Sequence, residues 1–294
     1  MNFGNHLWHK NIVLAYSAGP DSTALLHMLQ KWCKSNNKQV VAVHIIHAEN
    51  QEAEDALGIC KQTCIKIGVP LYTYTITSLK ITSNVDHIWR KERYKLLREH
   101  MQNYKEASLT TAHHKDDLAE TCILQVMRGM PLIGIPAYRS YNDKQNLIRP
   151  LLDQSKNDLE KYCLKHELNY YQDPENLNYP NSARARLRSI LQENDIKGII
   201  QAYQFSTQER ESYYKYIDQH CTDLNKLKLD IDIHFKFTLR HWLSKKNIYP
   251  THKQVERLVK CFSCCKIGSQ FVIGSAFFKV TLEKRDRSRW LASL

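Results

Sequence analysis

Between Asn11 and Arg128 the chain alternates short apolar runs with helix-length segments, and that alternation narrows its fold more than any other feature. Asn11–Tyr16, Val40–Ile46, Leu71–Ile76 and Ala107–Thr111 have the length and residue types of buried strands. Asp21–Lys34 places Ala24, Leu25, Met28, Leu29 and Trp32 at helical spacing, and Glu52–Ile67 does the same with Ala53, Ala56, Leu57, Cys60 and Cys64. Asp86–Asn103 and Lys115–Arg128 complete four strand-to-helix units. Such units predict an α/β fold with a doubly wound, mostly parallel sheet. No internal repeat and no low-complexity tract interrupts them.

After Gly129 the rhythm breaks. The segment MPLIGIPAYRSYNDKQNLIRPLL has three prolines and little periodicity, which predicts a long loop over the carboxyl edge of the sheet. Ser155–His166 reads as a helix opened by Ser155 and Asp158 in a capping arrangement, and Ala183–Gln192 as a short basic helix. Ile196–Leu227 reads as one long helix. Beyond it, Asp230–Phe235 and Gln270–Leu282 look β-like, while Leu239–Lys246 and Thr251–Phe262 look helical. The expected organisation is a main domain over 1–195, a helical connector over 196–227 and a small α+β domain over 228–294. Charge follows the same division: from Lys226 onward fifteen Lys and Arg face five acids, so +10 of the formal +12 lies in the last quarter. A basic module on a near-neutral body points to a phosphate-rich polymer, although a cationic surface kept for solubility has the same composition. No apolar run has the length of a bilayer span, the start MNFGNHLWHKN has no export pattern, and nine scattered cysteines suit reduced thiols; a cytoplasmic location and no membrane partner are expected.

The turn joining the first strand to the first helix, Ser17-Ala18-Gly19-Pro20-Asp21-Ser22, is small and polar between two buried elements. It sits where a helix N-terminus faces the crevice at the sheet's carboxyl edge, so its amides can cradle phosphate oxygens. Ser17 and Ser22 would add hydroxyl donors, and Gly19 would permit a left-handed or nest conformation. Asp21 repels phosphate unless it caps amides or binds a cation. An ordinary capping turn with Asp21 as the cap reads the same from composition.

On the helix from Lys115, Asp116, Asp117 and Glu120 share one face, with His113 just ahead. Carboxylates this close repel unless a cation lies between them, and an amine substrate or Mg²⁺ would supply it; a solvated face is the alternative. Arg90 and Arg93 stand one turn apart, suited to a triphosphate or equally to plain exposure. Arg184, Arg186 and Arg188 recur at every second position, which a helix splays around its circumference. Cys261, Cys264 and Cys265 lack the second pair that a zinc or iron–sulfur site needs, so the expected metal set is none.

The motif SAGPDS after a strand resembles the PP-loop of ATP pyrophosphatases, with Ala18 standing where that family has glycine. LTTAHHKDDLAETCILQVMRGMPLIGI, WRKERYKLL, RPLL and QDPENLNYPNSARARLRSIL, in this order over the first 190 or so residues, resemble the signature segments of the tRNA(Ile)-lysidine synthases. The departures are Ala18, Ile46 ahead of His47, Ala48-Glu49-Asn50, Glu175 and Ala185. The resemblance implies a PP-loop ATPase fold of the adenine nucleotide alpha hydrolase kind and an ATP-dependent ligase that joins L-lysine to C2 of the wobble cytidine of a CAU-anticodon tRNA(Ile). By resemblance, Ser17 to Ser22 with His47 hold ATP and Mg²⁺, and Asp21, Arg90, Arg93 and His113 take part in catalysis. Asp116, Asp117 and Glu120 bind and orient lysine, and Arg184 and Arg188 lie near the active site. A tRNA-thiolating enzyme of the same superfamily and a catalytically inactive RNA-binding relative are the alternatives; oligomeric state stays open, a homodimer included.

Overall fold

The computed structural model describes residues 3, 8–46, 51–76, 85–172, 183–220, 227–230, 235–244, 250, 254–259, 270–272, 279–286 and 289–293. The chain divides into two compact units, Met1–Gln204 and Phe205–Leu294. In the first, β1 (Asn11–Ala15), α1 (Pro20–Ser35), β2 (Gln39–Ile46), α2 (Gln51–Ile67), β3 (Leu71–Thr75), α3 (Val85–Met101), β4 (Ala107–Thr110) and α4 (Lys115–Met127) follow one another as the hydrophobic rhythm predicts. The sheet order is β3-β2-β1-β4-β6-β5, parallel throughout except for the outermost pair. Winding outward from β1 to β3 and then returning to the other side of β1 creates a topological switch between β1 and β4, the place where a crevice opens at the strands' carboxyl ends.

Both faces of the central strands β1, β2 and β4 are covered, which explains why these are almost continuously apolar, whereas the outer strand β3 is half exposed. In β1, Ile12 and Leu14 pack with Leu25 and Leu29 of α1 and Cys60 of α2, while Val13 points to the opposite face with Leu97 and Met101 of α3.

The segment after Gly129 is not a loop throughout, as its composition suggested. It contains a hairpin of β5 (Tyr138–Asn142) and β6 (Gln145–Ile148), whose inner strand pairs in parallel with β4. The side chain of Asn142 accepts from the Lys144 amide at 2.9 Å and closes the turn. β5 is largely exposed at the sheet edge, so no apolar alternation marks it. Earlier in the segment, Gln125 of α4 accepts from the amides of Ile133 (3.0 Å) and Gly134 (2.8 Å) and fastens the turn to the helix.

After the hairpin, the described residues form the helices α5 (Lys156–Lys165), α6 (Ala183–Ile190) and α7 (Glu193–His220). Ser155 caps α5, its hydroxyl accepting from the Asp158 amide at 3.1 Å and donating to the Asp158 carboxylate at 2.6 Å; this is the cap that the sequence suggested, without the side-chain to N-cap-amide bond of a full capping box. α7 starts three residues before the expected Ile196, and its described length ends at His220. The second unit holds a four-stranded antiparallel sheet ordered β7-β10-β9-β8, with β7 at Leu227–Asp230, β8 at Gln270–Val272, β9 at Lys279–Asp286 and β10 at Arg289–Ser293. Its helix α8 covers Phe235–Ser244, so the strand expected over Asp230–Phe235 lies earlier, and β10 has no counterpart among the expected elements. His241 stacks on Tyr214 at 4.1 Å between centroids and meets the Asp218 carboxylate at 2.7 Å.

Candidate active site

The strained residue of the first turn is Ala18, not Gly19. Ala18 lies at φ 64°, the left-handed region that costs an alanine about 1 kcal/mol, whereas Gly19 has φ −62° and forms the N-cap of α1 without a side-chain cap. Surrounding bonds hold Ala18 there: its carbonyl accepts from the Tyr171 amide (2.9 Å) and from the Thr23 hydroxyl (3.2 Å). The serines also stabilise the turn itself. Ser22 is buried, donates to the Gly19 carbonyl at 3.0 Å and lies 3.1 Å from the Ser17 hydroxyl. Among the described residues the amides of Ala18, Gly19, Asp21 and Ser22 make no hydrogen bond, leaving them at the positive end of α1 for an anion.

Across the switch point, β4 delivers His113 and His114 and α4 presents its acidic face. His114, which the reading of single residues passed over, is the hub. Its Nε2 lies 3.6 Å from Asp21 Oδ2 and 3.5 Å from Asp117 Oδ2, and its Nδ1 lies 3.4 Å from Asp116 Oδ2. Burial alone would lower its pKa, but the nearby carboxylates of Asp116, Asp117 and Asp21 together raise it above the ordinary 6.5. Burial likewise pushes Asp21 upward, with His114 pulling back. Asp21 Oδ1 is buried and has no hydrogen-bond partner among the described residues, so Asp21 is not the cap of α1 and retains a free oxygen that suits a cation. Asp116 accepts from the Lys156 amide at 3.0 Å; burial would raise its pKa, yet the neighbouring His114 and the Lys156 bond set it below the ordinary value.

Glu120 is 2 % exposed, and the cation that its burial demands comes from the protein. Arg188 Nε donates to Glu120 Oε1 at 2.6 Å and Arg184 Nη1 to Oε2 at 3.0 Å, while the second nitrogen of Arg184 reaches the Thr121 hydroxyl at 2.9 Å. This corrects the expectation that substrate or Mg²⁺ alone would relieve the acidic face. Asp117 is held more loosely, at 3.4 Å from Arg188 and 3.9 Å from Arg184. Burial opposes the charge of Arg188, but the bond to Glu120 outweighs it and keeps the guanidinium firmly protonated. Arg186 points elsewhere and is exposed, so of the three alternating arginines two serve this cluster.

His113 has the opposite character to its neighbour. Burial, reinforced by the positive charges of Arg149, Arg90 and Arg184 against the pull of Asp117, lowers it to about 4, and its Nδ1 lies 2.8 Å from the Thr111 hydroxyl. It is a neutral imidazole near pH 7. Arg90 on α3 is exposed, with its guanidinium 5.1 Å from the Tyr94 ring centroid, and Arg93 lies half-buried one turn on. His47, Glu175 and the Cys261, Cys264 and Cys265 cluster lie outside the described residues. The site thus joins Asp21, Asp116, Asp117, Glu120, Arg184 and Arg188 directly, and brings Arg90 to bear on His113 through charge. The described cysteines, Cys33, Cys60, Cys64, Cys122 and Cys163, are buried, and burial holds each thiol well above its ordinary pKa. They have the character of core residues rather than nucleophiles. Among the described residues no helix is long and apolar enough to cross a membrane.

Residues 2–194 match the family model of the PP-loop domain. The chain is similar to the tRNA(Ile)-lysidine synthase of Coxiella burnetii, 35% identical over 173 residues that cover 58% of this chain and 38% of that protein. It is also similar to the tRNA(Ile)-lysidine synthase of Buchnera aphidicola subsp. Baizongia pistaciae, 30% identical over 285 residues, 88% of this chain and 64% of that one. The chain therefore spans less than two thirds of the length of these curated relatives. Among solved structures it is similar to a U34-tRNA thiolase from Methanococcus maripaludis, with TM-score 0.55 and 16% identity over 66% of this chain and 70% of that one, a likeness of fold.

Proposed function

This chain belongs to the PP-loop domain family, and from that premise we propose that it is a tRNA(Ile)-lysidine synthase, joining L-lysine to C2 of the wobble cytidine of CAU-anticodon tRNA(Ile) at the expense of ATP. The observation that carries the reading is the reach of one side chain: His114 Nε2 lies within 3.6 Å of Asp21 in the anion-binding turn and within 3.5 Å of Asp117 on the acidic helix. A nucleotide phosphate at the turn and an amine at the helix would then meet over a single crevice.

In the first step the cytidine C2 oxygen attacks the α-phosphorus of ATP, and the bond to pyrophosphate breaks. The amides of Ala18, Gly19, Asp21 and Ser22 would receive the phosphate oxygens, and Arg90 and Arg93 would meet the leaving charge. The free oxygen of Asp21 suits Mg²⁺, which when bound neutralises polyphosphate charge. In the second step the lysine ε-nitrogen bonds to C2, the C2–O bond breaks and AMP departs with the oxygen. The product, lysidine, pairs with A and moves decoding from AUG to AUA and identity from Met to Ile.

Of the two carboxylates assigned to lysine, Asp117 is the better placed to take the incoming ammonium, because Glu120 is committed to two guanidiniums at 2.6 and 3.0 Å. The amine must shed a proton to attack, and a carboxylate of the acidic face or His113, which is neutral at pH 7 but a weak base with its pKa lowered to about 4, is the acceptor. The basic residues from Lys226 onward supply a grip on tRNA backbone. Thiolation is the weaker reading, since the described thiols beside the sheet are buried and held protonated.

The two-step order is tested by exchange of radiolabelled pyrophosphate into ATP. The reading expects exchange that requires the tRNA and not lysine, and that Asp21→Ala abolishes. Exchange driven by lysine without RNA would mean that the amino acid, not the base, is adenylated.

A further inference from the structure

Arg149 follows β6 at the carboxyl edge of the sheet, and its residue is 7 % exposed. Its Nη1 donates to the Pro136 carbonyl at 2.7 Å, while its Nε is buried without a hydrogen-bond partner among the described residues. No carboxylate pairs with it among the described residues, although the arginines of α6 take two acids between them. Burying a guanidinium without a counter-charge is costly, and a chain that retains one has an anion to receive there or stores strain for nothing.

The sheet register shows where that anion would lie. Thr110 pairs with Ile148, the Thr111 amide donates to the Ile148 carbonyl at 3.3 Å, and His114 bridges to Leu151, so the segment from Arg149 runs alongside Thr111–His114. Side chains alternate along β6: Ile148 packs with the α1 and α5 core and Leu147 with the α3 core, which puts Arg149 on the α3 side. Arg90 comes from α3, and both arginines act electrostatically on His113. Glu92, an acid on the same helix, is engaged with Lys95 at 3.6 Å. Arg184, the third positive charge acting on His113, is paired with Glu120 on the α4 side, whereas Arg149 and Arg90 lie on the α3 side.

We infer that Arg149 is an anion-binding residue of the site, its free guanidinium edge receiving a phosphoryl oxygen beside His113 together with Arg90. This rests on the reading of the crevice as a nucleotide and RNA site. The phosphoryl group belongs either to ATP or to the RNA backbone, and two binding arms separate these sources. Arg149→Met and Arg149→Lys, in the full chain, are titrated with ATP and Mg²⁺ without RNA, and with a CAU-anticodon stem-loop RNA without ATP, alongside thermal melting. Met is expected to weaken one of the two affinities about tenfold or more, with Lys restoring part of the loss. If the ligand is RNA, the slope of log affinity against log salt falls by about one as well. Should Arg149→Met fail to fold, Arg149→Lys keeps the cation and is expected to lose affinity several-fold, because a point charge cannot replace two guanidinium donors.

A folded Arg149→Met that melts lower but binds both ligands as the unaltered protein does would reduce Arg149 to a clamp on Pro136 and overturn the inference. So would an Arg149→Lys with unaltered affinities, or an unaltered protein that binds neither ligand. A protein that loses affinity on substitution yet makes no lysidine leaves the inference standing and removes the assigned reaction instead.

Discussion

Glu120 is the buried carboxylate on which two guanidiniums of the crevice converge. Changing it to Gln leaves Arg184 and Arg188 facing a neutral amide. Removing one member of a buried pair costs about 3–5 kcal/mol, and the outer exposure of the arginines, 43 % each, brings this nearer ~2 kcal/mol. Glu120→Gln is therefore expected to lower the melting temperature and to abolish lysine incorporation while leaving ATP affinity intact; unchanged incorporation would detach this carboxylate from the amine site. The two adjacent histidines respond to pH in opposite senses. His113 titrates at about 4 in the folded protein against an ordinary 6.5, so its contribution to stability is complete above 6.5 and fades as pH falls through about 4. His114 is raised, so its contribution is complete below 6.5 and fades as pH rises through its folded value. Lysine incorporation should then hold its rate from pH 7 to well below 6.5 as far as His113 governs it, and His113→Gln should remove that acid limb; a midpoint near 6.5 would show a histidine in its ordinary state. Most of these residues are legible in the sequence because they fall in short motifs beside strand ends. By residue type the left-handed conformation is expected at Gly19, and the structure puts it at Ala18 instead. His114 and Arg149 fall inside these motifs, but their roles are not legible, since these depend on carboxylates and a strand end that the sheet brings from elsewhere in the chain.

Among the elements, the turn from Pro131 to Pro136 shows how local sequence and tertiary packing divide the work. Gly134 sits at φ +67°, and a Cβ there would lie 2.5 Å from Tyr203 Cε2 and 2.8 Å from Leu118 Cδ1. Gly134→Ala combines backbone strain with overpacking and should cost about 2–4 kcal/mol, read by denaturant unfolding. Because Leu118 lies between Asp117 and Glu120 in sequence, the same variant should slow lysine incorporation more than it weakens ATP binding. Equal stability would mean that the turn adapts without cost. The four strand-to-helix units are readable because both faces of the sheet are buried and the periodicities are clear. The β5–β6 hairpin escapes notice: β5 is an exposed edge strand with no apolar alternation, and β6 has only four residues. Prolines and polar residues suggest a loop there, and only pairing with β4 makes it part of the sheet.

At the scale of the whole molecule, the division of charge is the feature that composition foretells and that the proposed RNA grip rests on. With +10 of the net +12 carried from Lys226 onward, tRNA binding should be steeply salt-dependent. Replacing Lys284 and Arg285 together by Ala is expected to weaken tRNA binding and flatten the salt slope, by about one for each phosphate no longer neutralised, with no change in ATP affinity. A salt slope that survives both substitutions would place the RNA grip elsewhere. The central claim, that the turn at β1 and the acidic face of α4 perform one reaction, is tested most directly by product analysis. The protein is incubated with ATP, Mg²⁺, CAU-anticodon tRNA(Ile) and labelled amino acids singly, and the RNA is digested and its nucleosides identified. The account expects lysine alone to appear on the wobble cytidine, and Asp21→Ala to eliminate the product. RNA binding and ATP turnover with no amino acid on any nucleoside would contradict it.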